Sequence, residues 1–190
     1  MQPEEKYKQI YNPKSNRLQN YDYGSNGGYF ITICTKNREN YFGEIIDGKM
    51  ILNEIGKIAE KYYLEITKHF PFVILDEFVI MPNHIHGIII IDKSGFVETR
   101  QCLVSTDNEN KINRFQNQGK GTISSIIGSF KSIYTKTIKK IQNKIFFAWQ
   151  PNYYDRIIRN EEELQKIRKY ILENPLKWEL DKNNAENLFM

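Results

Sequence analysis

Histidine and cysteine are scarce in this chain, and it has no long apolar run. Among 190 residues there are three histidines and two cysteines. Cys34 and Cys102 lie far apart and in no CxxC spacing, so neither a disulfide framework nor a closed cysteine-built zinc site is expected. Two reduced thiols are, one in a strand and one in a loop. No stretch approaches the ~20 apolar residues of a membrane helix, and the start MQPEEKYKQIYNPKSNR lacks the apolar block of a signal peptide. The expectation is a cytoplasmic protein with no membrane partner. Acid is also scarce in one place. Between Lys120 and Lys169 there are 11 Lys and Arg against 4 Asp and Glu, although the whole chain is only +4. The remainder is therefore net acidic, and the basic segment suits a polyanion such as nucleic acid or, alternatively, a solvated helix surface.

What is present is a core. Hydrophobic residues make up 40% and aromatics 13%, enough for one domain. Residues 1–27 are polar and read as an arm, residues 28–178 as the domain and 179–190 as a tail. Within the domain, GYFITICT (28–35) is aromatic and β-branched and predicts a strand. Residues 42–52 predict a hairpin with Asp47-Gly48 at the turn. Asn53 is placed to cap a helix whose stripe is Ile55, Ile58, Ala59, Tyr62, Tyr63 and Ile66, with Pro71 beyond its end. The runs 72–80 and 84–91 are strands joined by Met81-Pro82-Asn83, too short a connection for anything but an antiparallel pair. The polar, aperiodic stretch 92–120 predicts a flexible insertion. Helical periodicity returns at 122–143, a short strand follows at 153–158, and Asn160 caps a last helix that Asn174-Pro175 stops. The order β, hairpin, α, β, β, α, β, α predicts an α+β fold, an antiparallel sheet with helices packed on one face.

Two groups of residues could carry chemistry. In NHIHG (83–87), His84 and His86 are two apart in a strand and share a face, as two imidazoles on one divalent ion would require. With no HExxH motif, a partly hydrated Mg²⁺ or Mn²⁺ fits better than zinc. Asp76, Glu77 and Asn174 are the candidates for a third ligand. In YILENP (170–175), Tyr170 and Asn174 are one helical turn apart on one face. A tyrosine nucleophile exchanges a phosphodiester for a phosphotyrosine and so keeps the bond for rejoining. Tyr153 and Tyr154 are its competitors among 12 tyrosines. For nucleic-acid contact the candidates are Lys131, Lys139, Lys140, Arg156 and Arg159 on phosphates, and Tyr153 and Tyr154 on bases. Phe130 and Trp149 are expected in the core.

The blocks FITICTKNR (30–38), FVIMPNHIHGIII (78–90), SFKSIYTK (129–136) and WQPNYYDRIIRNEEEL…IRKYILENPLKW (149–178) resemble, in order, the transposases of small bacterial insertion sequences. These are HUH-type tyrosine endonucleases, and the resemblance points to the branch associated with repetitive extragenic palindromes. It spans roughly 28–178 apart from 92–120. It implies a ferredoxin-like (RRM-like) fold, with His84 and His86 as metal ligands, Tyr170 as nucleophile and Asn174 as a third ligand where related enzymes carry Gln. It further implies cleavage of single-stranded DNA near a hairpin or palindromic end, leaving a 5′-phosphotyrosine and a free 3′-OH, then strand transfer. Relatives are monomers or homodimers. The sequence leaves two rival readings open: a non-catalytic binder of structured DNA or RNA, and a water-using metal phosphodiesterase.

Overall fold

The β-branched, aromatic run GGYFITIC forms the central strand β1 (Gly27–Cys34). The computed structural model describes residue 18 and residues 21–95, 121–141 and 146–180. The 92–120 insertion therefore lies outside the described residues apart from 92–95, as do most of the arm and the tail after 180. A hairpin follows, β2 (Gly43–Ile46) and β3 (Lys49–Leu52). Its turn residues Asp47 and Gly48 have φ of 50° and 68°, the left-handed pair a two-residue hairpin turn needs. Helix α1 (Glu54–Leu64) is capped by Asn53, whose Oδ1 accepts from the Gly56 amide at 2.9 Å. A short helix α2 (Ile66–His69) closes this segment before Pro71. Then come β4 (Val73–Met81), β5 (His84–Ile91), α3 (Ile123–Ile141), β6 (Tyr154–Ile158) and α4 (Glu161–Glu173), followed by a 3₁₀ turn, Pro175–Leu180. Asn160 caps α4 by accepting from the Glu163 amide at 2.8 Å.

The main sheet has the order β4-β5-β1-β6, and every neighbouring pair is antiparallel. With α1 between β1 and β4 and α3 between β5 and β6, this is the ferredoxin-like arrangement. Strand alternation sends Tyr29, Ile31, Ile33, Ile85 and Ile89 to one face, all fully buried. There α1 and α3 pack, α3 contributing Ile123, Ile126, Ile127, Phe130, Tyr134 and Ile138. Phe130 and Trp149 join an aromatic cluster with Phe42, Tyr134 and Phe147. Gly87 belongs to this face, because a Cβ there would meet the Tyr63 hydroxyl oxygen at 2.0 Å. The end of the N-terminal arm is part of the packing too: Tyr21 and Tyr23 lie against Tyr29.

The helices on this back face account for the expected one-sided layer, but α4 does not join them. It lies on the opposite, front face, against β4 and β5. Its sheet-facing stripe is thin: Leu164 and Ile167 are half-buried and only Ile171 is fully buried. On the edge strand beneath it, β4 carries a bulge. Leu75 pairs with Ile89 and Phe78 with Gly87, so Asp76 and Glu77 together oppose Ile88.

Candidate active site

The front face carries the alternate residues of the same strands, and the two histidines stand in its middle. His84 and His86 project together from β5, their ring centroids 4.4 Å apart, and both are buried. Each has a neighbour that sets its orientation. The Asn83 amide nitrogen donates to the Arg38 carbonyl at 2.9 Å, which leaves Asn83 Oδ1 facing His84 Nδ1 at 2.9 Å. A carboxamide oxygen only accepts, so His84 Nδ1 carries the hydrogen and Nε2 carries the lone pair. His86 Nδ1 bonds the Thr32 hydroxyl at 2.8 Å, across the β1–β5 ladder. Burial pushes the His84 pKa down to about 3, with the nearby positive charge of Arg38 adding to the shift. The imidazole is neutral at pH 7, the form that binds metal.

Helix α4 brings Tyr170 to this pair. The phenol oxygen lies 3.2 Å from His86 Nε2, and the phenol ring meets the imidazole edge-on. One turn further on, Asn174 is buried and its Oδ1 has no hydrogen-bond partner among the described residues. Another turn on, Trp178 stacks on His84, with centroids 6.0 Å apart and an interplanar angle of 27°. Tyr170 and Trp178 thus each meet one of the histidines, and buried Asn174 lies between them in the chain. The donor set of two imidazole nitrogens and an orphaned carboxamide oxygen fits a borderline or hard divalent ion with water or phosphate completing its shell. Among the described residues no group of three or more His, Cys, Asp or Glu could hold a metal.

Of the other candidate ligands, Asp76 is committed elsewhere. Arg168 of α4 grips it through Nε–Oδ1 at 2.8 Å and Nη2–Oδ2 at 2.5 Å, and these bonds hold the carboxyl below its ordinary range. Glu77 follows it in the bulge.

The expected nucleic-acid contacts divide. Tyr154 pairs with Thr32 and Arg156 with Phe30 across β1–β6, so both lie on the front face beside the histidines. Tyr154 is 54% exposed, and Arg156 is paired with Glu163 at 2.6 Å. Tyr153 points the other way, half-buried against the core, its hydroxyl 3.3 Å from Ser124. Arg159 is exposed, and its main-chain amide bonds Glu163. Lys139 and Lys140 are exposed at the end of α3, behind the sheet. Lys131 differs from its expected role. Its ammonium donates to the carbonyls of Gln150 and Pro151 at 2.5 and 3.2 Å, and burial lowers its pKa. It is a clamp on the loop before β6.

Three residues went unnoticed in the sequence. Phe30 stacks on His86 at 5.4 Å and meets Tyr170 edge-on at 6.0 Å. Trp178 and Asn83 are the others. Parity along β1 puts Phe30 and Thr32 on one face, but which face looks at the histidines depends on register with β5, which no local pattern encodes.

The chain is 42% identical over 173 residues to an uncharacterized protein of Haemophilus influenzae, a match covering 90% of this chain and 93% of that one. The two proteins belong to one family. No family model matches the chain. Among solved structures it is similar to a REP-associated tyrosine transposase determined bound to a REP hairpin, with a TM-score of 0.55 and 18% identity over 88% of this chain and 77% of the other. The fold is therefore transposase-like. Among the described residues no helix is long and apolar enough to cross a membrane.

Proposed function

We propose that this family member is a metal-dependent single-strand DNA endonuclease and strand transferase that acts beside DNA hairpins through a 5′-phosphotyrosine. The observation that carries the reading is the Tyr170 hydroxyl 3.2 Å from His86 Nε2, with His84 beside His86 and the orphaned Asn174 Oδ1 one helical turn beyond Tyr170. The transposase-like fold and the hairpin bound by the structural neighbour support it.

The chemistry follows from these positions. His84, His86 and Asn174 would hold Mg²⁺ or Mn²⁺, which when bound polarises a phosphate and stabilises the charge that develops on it. Tyr170 is 40% exposed as a residue while its hydroxyl bonds His86, so a strand lying on the front face reaches the phenol at that contact. That oxygen attacks phosphorus in line, the bond from phosphorus to the 3′-oxygen breaks, and the phenol proton is balanced by the one taken up at the freed 3′-OH. The 5′-phosphate stays on Tyr170. Attack by a 3′-OH on this phosphotyrosine reverses the step and joins a strand. Phe30 packs Tyr170 against His86, and Tyr154 with Arg156 extends the face towards the open edge at β6, where a base can stack and a phosphate can be met.

The test is incubation of the protein and Mn²⁺ with labelled single strands carrying a hairpin. The expected result is a denaturant-resistant protein–DNA adduct, lost in Tyr170→Phe. Cleaved DNA without adduct would favour water as nucleophile, and binding without cleavage a binder of structured DNA or RNA. Either result overturns the proposal.

A further inference from the structure

Helix α4 bears the reactive phenol yet has little apolar surface to hold it. Beneath it only Ile171 is fully buried, whereas α3 buries six residues. Beside the Tyr170–His86 contact, a second sequence-distant tether to the sheet is Arg168, whose guanidinium takes both oxygens of Asp76 in a fork at 2.8 and 2.5 Å. That pair is sheltered, with Asp76 only 12% exposed in its side chain. The β4 bulge supplies the acceptor: an extra residue re-aims a side chain that a regular strand would place elsewhere. The Glu77 amide donates to Asp76 Oδ1 at 2.7 Å and stiffens the carboxylate. Arg168 and Tyr170 are two residues apart on one rigid helix, so fixing the first fixes the rotation and advance of the second.

We propose that the Asp76–Arg168 fork is the positioning contact of the site, holding α4 in the register over β4 and β5 that keeps the Tyr170 hydroxyl at His86 of its own chain. Arg168 and Asp76 touch no reacting atom. The geometry explains why position is sensitive: a roll of α4 by about 20° carries a side-chain tip at the helix rim through roughly 2 Å. Misplacement of a reacting group by about 1 Å can cost on the order of 100-fold in rate. A lysine cannot replace the arginine, since it brings the charge without the planar fork.

The proposal rests on the functional reading above, and two measurements separate them. The first is single-turnover adduct formation at saturating hairpin DNA with Mn²⁺, beside the DNA dissociation constant. Arg168→Lys and Asp76→Asn should each lower the saturated rate ten-fold or more while affinity changes less than three-fold. The exchange Asp76→Arg with Arg168→Asp should recover part of the rate. Wild-type rates in both single variants, or loss of rate and affinity together without recovery in the exchange, would overturn the positioning role. The second is amide hydrogen exchange, which needs no chemistry. In Arg168→Lys the amides of α4 should exchange faster while those of α3 are unchanged, and unchanged α4 exchange would overturn the proposal. A wild-type protein that forms no adduct would remove the functional reading and leave hydrogen exchange to decide the latch.

Discussion

The two faces of one four-stranded sheet are built on different terms. Behind it, α1 and α3 interlock through isoleucines and aromatic rings, and Tyr29, Ile31, Ile33, Ile85 and Ile89 are all fully buried there. In front, α4 rests on a thin apolar stripe, an arginine fork and a phenol–imidazole contact. The residues of the back face are chosen for volume, those of the front face for the atoms they present. Stability and the proposed chemistry are thus separated by one strand thickness, with β5 alternating between them residue by residue: Ile85 and Gly87 behind, His84 and His86 in front. A rigid core strand is a good mount for a site, because its ligands inherit the order of the packing behind them.

Chemical denaturation offers the sharpest way to break this contrast. Phe130→Ala should cost about 3–5 kcal/mol, the usual loss for an aromatic ring removed from a core. A loss below about 1 kcal/mol would show that the back face does not carry the stability.

Gly87→Ala comes next, at about 1–3 kcal/mol for an overpacked site, because its Cβ would stand 2.0 Å from the Tyr63 hydroxyl oxygen. That hydroxyl is buried without a hydrogen-bond partner among the described residues. Tyr63→Phe alone should therefore be neutral or stabilising, and it should relieve part of the Gly87→Ala loss. Additive losses in the double variant would refute the steric account.

Acid gives a graded effect that reaches the front face. The His84 pKa is pushed down from 6.5 to about 3 in the folded protein, so the unfolded chain binds the proton first. Stability from this group is fully present above about pH 6.5 and is lost as pH falls, by at most ~1.4 kcal/mol per unit. The metal-free protein should show this slope between about pH 6.5 and 5.5, above the range in which the carboxylates titrate. A flat profile there would mean that His84 is not the buried neutral group described.

The smallest stability effect belongs to the proposed nucleophile. Tyr170→Phe should change unfolding free energy by no more than about 0.5 kcal/mol while abolishing the covalent adduct. An adduct surviving in this variant and mapped to Tyr154 would move the nucleophile to the edge strand.

Much of this was legible in the chain, and the reasons differ from element to element. Asn53 and Asn160 announce their helices because capping is a contact between residues three apart. Asp47-Gly48 announces the hairpin because both turn residues must be left-handed. The pairing of His84 with His86 follows from the two-residue period of a strand, and that of Tyr170 with Asn174 from the helical turn. Lys131 misled, since a lysine on a helix flank looks alike whether it meets solvent or a carbonyl from a distant loop. Asp76 was one of three candidates for a third ligand, and only Arg168 arriving from α4 removes it from that set.

By itself, then, the sequence determined the local elements, the order that makes the sheet ferredoxin-like, and two short motifs whose members share a face. Only the tertiary structure decided that α4 crosses the front of the sheet, which acid it grips, and that the Tyr170 hydroxyl meets His86 rather than solvent. The physical reason is range. Caps, turns and periodicities act over a few residues and leave their mark in adjacent letters. The contact between Tyr170 and His86 joins positions 84 residues apart, and that between Arg168 and Asp76 joins positions 92 apart. Such contacts exist only once register, bulge and packing have been set by the whole fold.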